Sequence, residues 1–326
     1  MDPLLGVFLA ALFGLLPMAA FALMLTRLDV YKKEPPLLFV TVFLWGFLVA
    51  SVSAFSINTL FGLSVFLITG NRGISDATTT VFVGPFVEEC VKGLALLLLF
   101  LYSRRHFNTP LDGIIYGSLV GFGFAAAENM LYIFRGFTRS GVTGLLTVAL
   151  VRTVLIPFLH ATLTSLTGMG LSVARLSKGI KRYTTPVAGF AAAVGLHSLH
   201  NFLTVTMIPA LQVAGFFIDW MGVAMVISLV GHLVRSETRI MRKYLLEEVT
   251  RGNIRLDQYI NTVSVYRRNA TCWTCLNAKR RSDLKELYKI SGELAFLKHE
   301  QEKTNVNKSL DISALRTGLR EVSGRL

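Results

Sequence analysis

Three ionisable side chains lie close together in an otherwise apolar stretch, residues 81–101. Glu88, Glu89 and Lys92 fall within about one helical turn of one another. An ionisable group near the middle of a membrane-spanning helix costs roughly 2.5–3.5 kcal/mol, so it is retained where it serves a cavity, a metal or a reaction. Two carboxylates can activate water or hold a divalent metal, and the lysine is spaced to pair with either. The stretch therefore indicates a chemical site inside a membrane.

Three later apolar stretches contain further residues of the kinds that bind metal ions or transfer protons. These are Glu128 and Asn129 within residues 113–134, His160 within residues 147–176, and His197, His200 and Asn201 within residues 186–208. Histidine and carboxylate side chains are the usual zinc ligands and proton-transfer groups. We therefore predict one site whose catalytic residues are Glu88, Glu89, Glu128, His160, His197 and Asn201. Its supporting residues are Lys92, Asn129 and His200.

The composition indicates which elements must hold these residues. Of the 326 residues, 52% are hydrophobic and 16% are charged, and several apolar runs reach the roughly 20 residues that cross a bilayer. We predict an all-α, polytopic membrane helical bundle with about seven transmembrane helices. The predicted crossings are residues 4–25, 37–57, 81–101, 113–134, 147–176, 186–208 and 212–234. Residues 1–234 form the predicted transmembrane domain that holds the chemical site, and residues 235–326 form a basic, helical cytoplasmic tail, partly disordered at its end.

Basic residues are concentrated in alternate connectors. They follow the first, third, fifth and seventh crossings: Arg27, Lys32 and Lys33; Arg104 and Arg105; Arg175, Lys178, Lys181 and Arg182; Arg235, Arg239, Arg242 and Lys243. Because loops rich in lysine and arginine stay in the cytoplasm, the N-terminus is predicted outside and the tail inside. These connectors account for the net charge of +13, so no nucleic-acid partner is expected.

The predicted topology puts the polar residues at similar depths. At 1.5 Å per residue, Glu88 would lie about 10 Å from the outer end of its helix and Glu128 about 9 Å from the outer end of its own. His160 and His197 would lie about thirteen and about eleven residues from the outer ends of theirs. Scattered polar residues need not share a depth, so their agreement supports a single site between the outer third and the middle of the bilayer.

Four motifs, on four separate predicted helices, resemble a known pattern. Glu88-Glu89-Cys90-Val91-Lys92 resembles the Glu-Glu-x-x-Lys motif of the PrsW family of intramembrane proteases, and Phe124-Ala-Ala-Ala-Glu128-Asn129 resembles its Phe-x-x-x-Glu-Asn motif. His160-Ala161 and His197-Ser-Leu-His-Asn201 resemble its two histidine motifs. The family is distantly similar to CAAX prenyl endopeptidases and bacteriocin-processing proteins. The resemblance implies a multi-pass protein of the bacterial plasma membrane that cleaves membrane-anchored substrates by site-1-type proteolysis, with anti-sigma factors the known example.

Two mechanisms fit these residues. In the first, His160, His197 and one carboxylate, Glu88 or Glu128, bind a divalent metal, for which zinc is favoured, and Glu89 is the favoured general base. In the second there is no metal: Glu89 or Glu88 activates water, while His160, His197 and Asn201 hold the water and stabilise the oxyanion. Lys92 is the local counter-charge in both.

Other functions fit parts of the pattern. The same acidic and histidine residues could form the relay of a proton- or ion-coupled transporter, and a catalytically silent membrane scaffold would use mainly the tail.

Arg239, Arg242 and Lys243 predict contact between the tail and anionic lipid. Cys272 and Cys275 form a Cys-x-x-Cys without the second ligand pair that structural zinc needs. The sequence makes no prediction of oligomeric state.

Overall fold

The chain is almost entirely helical. The structure, a computed structural model, describes residues 2–29, 31, 34–103, 106–206 and 208–326, and none of these residues lies in a strand. The chain divides into two compact units. The first comprises Met1–Leu28, Pro35–Arg175 and Gly179–Leu229, and the second comprises Asp29–Glu34, Leu176–Lys178 and Val230–Leu326.

The helices of the first unit follow one another with short connections. In chain order they are α1 (Pro3–Leu25), α2 (Pro36–Leu44), α3 (Ser51–Thr69), α4 (Arg72–Thr78), α5 (Gly84–Tyr102), α6 (Pro110–Leu150), α7 (Leu159–Arg175), α8 (Lys181–Val205) and the first part of α9 (Pro209–Thr250). Short π-helical segments, Trp45–Ala50, Thr79–Val83 and Val151–Leu155, join or precede some of them. Helical structure thus continues from Pro36 to Thr69, beyond residue 57, where the predicted crossing ends.

Four helical stretches of the described chain are long and apolar enough to cross a membrane. They are Pro3–Leu28, Pro36–Thr69, Pro110–Arg175 and Pro209–Thr250. The number of seven crossings and the outward N-terminus remain predictions. Of the basic connector residues, Lys32, Lys33, Arg104 and Arg105 lie outside the described residues.

Glycines bring α6 and α7 into close antiparallel contact. Gly113, Gly117 and Gly121 recur every four residues along α6 and so share one face. A Cβ at Gly117 would lie 2.6 Å from the backbone oxygen of Thr164, and a Cβ at Gly121 would collide with the backbone of His160. Because small residues let two helix backbones approach this closely, these glycines bring the first turn of α7 against the middle of α6.

A turn inside α6 converts this element into a helical hairpin. Ser140 and Gly141 have non-helical dihedrals, and Gly141 has a φ of 65°, which glycine adopts without steric cost. Beyond the turn the chain returns along the first arm, so that a Cβ at Gly136 would lie 2.7 Å from the backbone oxygen of Gly144. The second arm, residues 142–155, therefore runs back beside the residues that precede the turn.

The second unit has its own apolar core. The end of α9 is followed by α10 (Leu256–Val263), α11 (Val265–Thr274), α12 (Ala278–Thr304) and α13 (Ser309–Arg325). Leu287 and Leu294 of α12 are fully buried together with Leu319 of α13, and Ile312 and Val322 join the same cluster. Burial of each such side chain contributes about 1.5–3 kcal/mol. The apolar face of α13 packs on α12. The partial disorder expected at the end of the chain stays a prediction.

Candidate active site

Four helices bring their polar residues together in the first unit. Glu89 and Lys92 of α5, His160 at the start of α7 and His197 of α8 are buried, and Glu128 of α6 joins them through His160. The ring centroids of His160 and His197 are 5.2 Å apart, although the two residues belong to different helices. The structure thus assembles one polar cluster from four separate stretches of the chain.

Glu89 is the most completely enclosed carboxylate of the cluster. Its Oε1 accepts a hydrogen bond from Lys92 Nζ at 2.6 Å and lies 3.0 Å from His197 Nδ1. Its Oε2 accepts a hydrogen bond from the Thr164 hydroxyl at 3.2 Å. Because a carboxylate oxygen accepts, Nδ1 of His197 carries the proton in this arrangement, and the Nε2 lone pair stays available for another partner.

Lys92 is a fully buried cation at the centre of these groups. Besides Glu89, its Nζ lies 3.3 Å from His160 Nδ1 and 3.9 Å from Glu88 Oε2. It also lies 4.2 Å from the centroid of the Phe124 ring, within the range of a cation–π interaction. A buried charge is retained where it is paired, and Lys92 compensates two neighbouring carboxylates while facing one histidine.

The helical hairpin of α6 positions a second cation. Arg152, on the returning arm, forms an ion pair with Glu128, and its Nε donates a hydrogen bond of 2.7 Å to Asn129 Oδ1. Glu128 Oε2 in turn lies 2.8 Å from His160 Nε2. The guanidinium also stacks 4.4 Å from the centroid of the Tyr132 ring. Arg152, Glu128 and His160 therefore form a chain of charged and polar contacts.

Three residues of the cluster could together hold a metal ion. One ligand atom each of Glu88, His160 and His197 lies within 4.8 Å of the other two. Glu88 Oε2 is buried without a hydrogen-bond partner among the described residues, 3.7 Å from His197 Nε2. One carboxylate and two imidazoles match the ligand set of catalytic zinc, and an ion would satisfy the unpaired oxygen. These residues therefore fit a metal.

The family of the chain is shown by comparison with known proteins. A model described as PrsW family intramembrane metalloprotease matches residues 34–231. The chain belongs to the PrsW family. As a member, with long apolar helices, it is a multi-pass membrane protein of the bacterial cell membrane. No solved structure gave a significant match.

Three curated relatives of the PrsW family are named Protease PrsW. The protein from Clostridioides difficile (strain 630) is 37% identical over 107 residues, 32% of this chain and 42% of the relative. That from Bacillus subtilis (strain 168) is 31% identical over 119 residues, 36% and 50% of the two chains. That from Geobacillus kaustophilus (strain HTA426) is 28% identical over 177 residues, 54% of this chain and 70% of the relative. The chain thus spans less than two thirds of the first two relatives that it matches.

Two residues of the last PrsW-like motif lie apart from the cluster. Asn201, predicted as catalytic, donates a hydrogen bond of 2.8 Å from Nδ2 to the backbone oxygen of Thr80. His200 instead lies with its Nδ1 2.7 Å from Asp219 Oδ2 of α9, and both side chains are largely buried. His197 is therefore the histidine of this motif that contacts Glu88 and Glu89.

Arg152 is the residue of the cluster that motif spacing does not reveal. Arg152 stands alone in an apolar stretch, with no acidic residue at helical spacing, so the sequence does not show which residue it contacts. Its partner Glu128 precedes it by 24 residues, and the turn at Gly141 brings the two together. The signal that could have found this pair is a lone arginine that follows an intramembrane glutamate at a distance that one helical hairpin can span.

Proposed function

We propose that the protein is an intramembrane endopeptidase that hydrolyses a peptide bond of membrane-anchored proteins. The observation that carries the proposal is the juxtaposition of Glu88, His160 and His197, in which one oxygen of Glu88 is buried without a hydrogen-bond partner among the described residues. Intramembrane charges are costly, so a cluster of this density is retained for function. Membership of the PrsW family supports peptide hydrolysis as that function.

Hydrolysis of a peptide bond requires an activated water, stabilisation of an oxyanion and a proton for the leaving amine. Glu88, His160 and His197 are the residues that would hold a divalent metal, for which we favour zinc. Glu128, which contacts His160, is the other candidate ligand. When bound, such an ion lowers the pKa of a water molecule and polarises the substrate carbonyl. The remaining groups would then position the ligands and move protons.

The contacts of Glu89 favour positioning over proton transfer. Both of its oxygens are engaged, by Lys92, His197 and Thr164, and its side chain is fully buried. A carboxylate bonded to the Nδ1 of a ligand histidine fixes the ring orientation and the tautomer. We assign this role to Glu89, in place of the general-base role that its sequence motif suggests.

Glu128 is better placed to move a proton. Its side chain is 21% exposed, compared with 0% for Glu89, and it lies against His160 Nε2. Arg152 stabilises its carboxylate form, which can accept a proton from water and return it to the departing amine. Glu128 would thus carry the proton, beside the ligand His160.

The basic connectors support an outward N-terminus and a cytoplasmic tail. With this orientation the cluster lies in the outer half of the bilayer, and cleavage is expected near the extracytoplasmic end of a substrate helix. An anti-sigma factor with one crossing is a fitting substrate of this kind. Arg239, Arg242 and Lys243 would contact anionic lipid at the cytoplasmic surface.

A reconstituted cleavage assay tests the proposal. The purified protein is placed in liposomes with a single-span substrate that carries a different tag at each end. We expect cleavage near the outer end of the span, and loss of cleavage in Glu88→Gln and His160→Ala. The matched control is His232→Ala, which removes an exposed histidine of α9. Wild-type cleavage by both site variants would overturn the proposal.

A further inference from the structure

The second unit contains a cationic cleft of about 430 Å³. Its lining includes Arg268 of α11, Arg281, Lys285 and Lys289 of α12, and no acidic residue. Tyr31, Trp273 and Tyr288 supply aromatic surface. All of these residues lie outside residues 34–231, which the family model matches, so the proposed peptidase chemistry does not account for the cleft.

Arg268 is the unusual residue of this cleft. It is only 4% exposed, and its guanidinium lies 5.2 Å from the ring centroid of Tyr31 and 5.8 Å from that of Tyr288. Among the described residues, no carboxylate lies within ion-pair distance of it. Burial lowers the pKa of the guanidinium, and the opposing effects of Tyr31, Cys272, Tyr288 and Asp29 are smaller. Buried arginines are normally in direct contact with an acidic group, and Arg268 has no such contact among the described residues.

The other cations are arranged on one face of α12. Arg281, Lys285 and Lys289 are spaced four residues apart, where like charges repel along a helix. Arg281 is held in place by hydrogen bonds of 2.9 and 2.6 Å to the backbone oxygen of Cys275. Lys289 approaches Glu293 at 3.9 Å, and Lys285 has no ion-pair partner among the described residues. The repulsion would be relieved by an anion bound between this face and Arg268.

We propose that this cleft binds a ligand carrying a phosphate group. Arginine presents a planar set of donors that matches phosphate oxygens, and lysines at the rim add charge. Trp273 is 85% exposed at the cleft, where its indole can stack on a planar ring such as a nucleotide base. Soluble nucleotides and the headgroups of phospholipids share the phosphate chemistry and are the two sources to be distinguished.

Titration calorimetry on the full chain in detergent micelles tests the proposal. The probes are ATP, glycerol 3-phosphate as a soluble headgroup, and inorganic phosphate. Since a hydrogen bond between charged groups is worth roughly a 10- to 100-fold change in affinity, we expect a weakening of that size in Lys285→Gln and in Arg268→Gln. Lys279→Gln, an exposed lysine of α12 outside the cleft, is the matched control and should bind like the wild type.

Lys285→Gln keeps the test valid if Arg268→Gln does not fold, because Lys285 is exposed. Tight binding of ATP alone, with fluorescence quenching that is lost in Trp273→Phe, indicates a nucleotide. Binding of glycerol 3-phosphate equal to that of ATP, without this quenching, indicates a headgroup. The proposal is overturned if no probe binds, or if Lys285→Gln and Lys279→Gln weaken binding equally.

Discussion

His197 Nδ1 lies 3.0 Å from Glu89 Oε1, although 108 residues separate the two in the chain. The contact orients the imidazole so that Nε2 points towards Glu88 Oε2, at 3.7 Å. Of the two adjacent glutamates of α5, Glu89 therefore contacts Nδ1 of His197 and Glu88 faces its Nε2. This division of labour underlies the first prediction.

Replacing Glu89 by glutamine should weaken metal binding without removing it. The amide can still occupy the space, but it neither neutralises the charge of Lys92 nor fixes the tautomer of His197. Loss of such an outer contact typically costs about 10- to 100-fold in metal affinity or activity. Zinc affinity is measured by competition with a chromophoric chelator, alongside the cleavage rate. Asp76→Asn, an exposed acid outside the cluster, is the control. Unchanged zinc affinity with complete loss of cleavage would instead identify Glu89 as the general base.

Arg152→Gln should reduce both stability and cleavage. The substitution leaves Glu128 without its cation and Asn129 without its donor, and loss of a hydrogen bond to a charged group costs about 1.5–3 kcal/mol. Thermal unfolding in detergent measures the loss, and Arg152→Lys should recover part of it. Arg139→Gln, an exposed arginine on the same hairpin, should have little effect. Equal stability of Arg152→Gln and Arg139→Gln would contradict a role for the ion pair.

Removal of metal ions should stop cleavage reversibly. We expect about one zinc ion per chain, loss of cleavage with a strong chelator, and recovery on adding zinc. His197→Ala should lower the bound zinc measured by mass spectrometry, whereas His232→Ala should retain it. Full cleavage by metal-free protein would favour the alternative in which a glutamate activates water directly.

Gly117→Ala should destabilise the contact between α6 and α7. The added methyl group would lie 2.6 Å from the Thr164 backbone oxygen and 2.7 Å from the Ser165 Cα, and such overpacking typically costs about 1–3 kcal/mol. Gly195→Ala on α8 has open space around the new methyl group and should be neutral or stabilising. Thermal unfolding compares the two, and a similar midpoint in both variants would show that the helices tolerate separation.

Leu319→Ala should loosen α13 from α12. Removing a fully buried leucine costs about 2–5 kcal/mol, so the end of the chain should become sensitive to limited proteolysis. Leu310→Ala, on the same helix but 85% exposed, is the control. Identical digestion of the two variants would show that the end of the chain is not held by this core.

The sequence by itself determined which types of residue form the site. An intramembrane Glu88-Glu89 pair, a glutamate in the next apolar stretch and histidines in two more are visible as charges in a context that disfavours them. The apolar runs likewise determined that the protein is helical and membrane-embedded. These features depend on the chemistry of single residues and on spacing along one helix.

Tertiary structure decided which of these residues touch. The reversal at Gly141 brings Arg152 to Glu128, and the glycines of α6 bring His160 to the same place. Asn201 donates a hydrogen bond to Thr80 and His200 lies against Asp219, so the partners of both differ from those that their motif predicts. Helical periodicity gives the face of a residue on its own helix, but contacts between helices depend on backbone turns and close packing, which spacing alone does not encode.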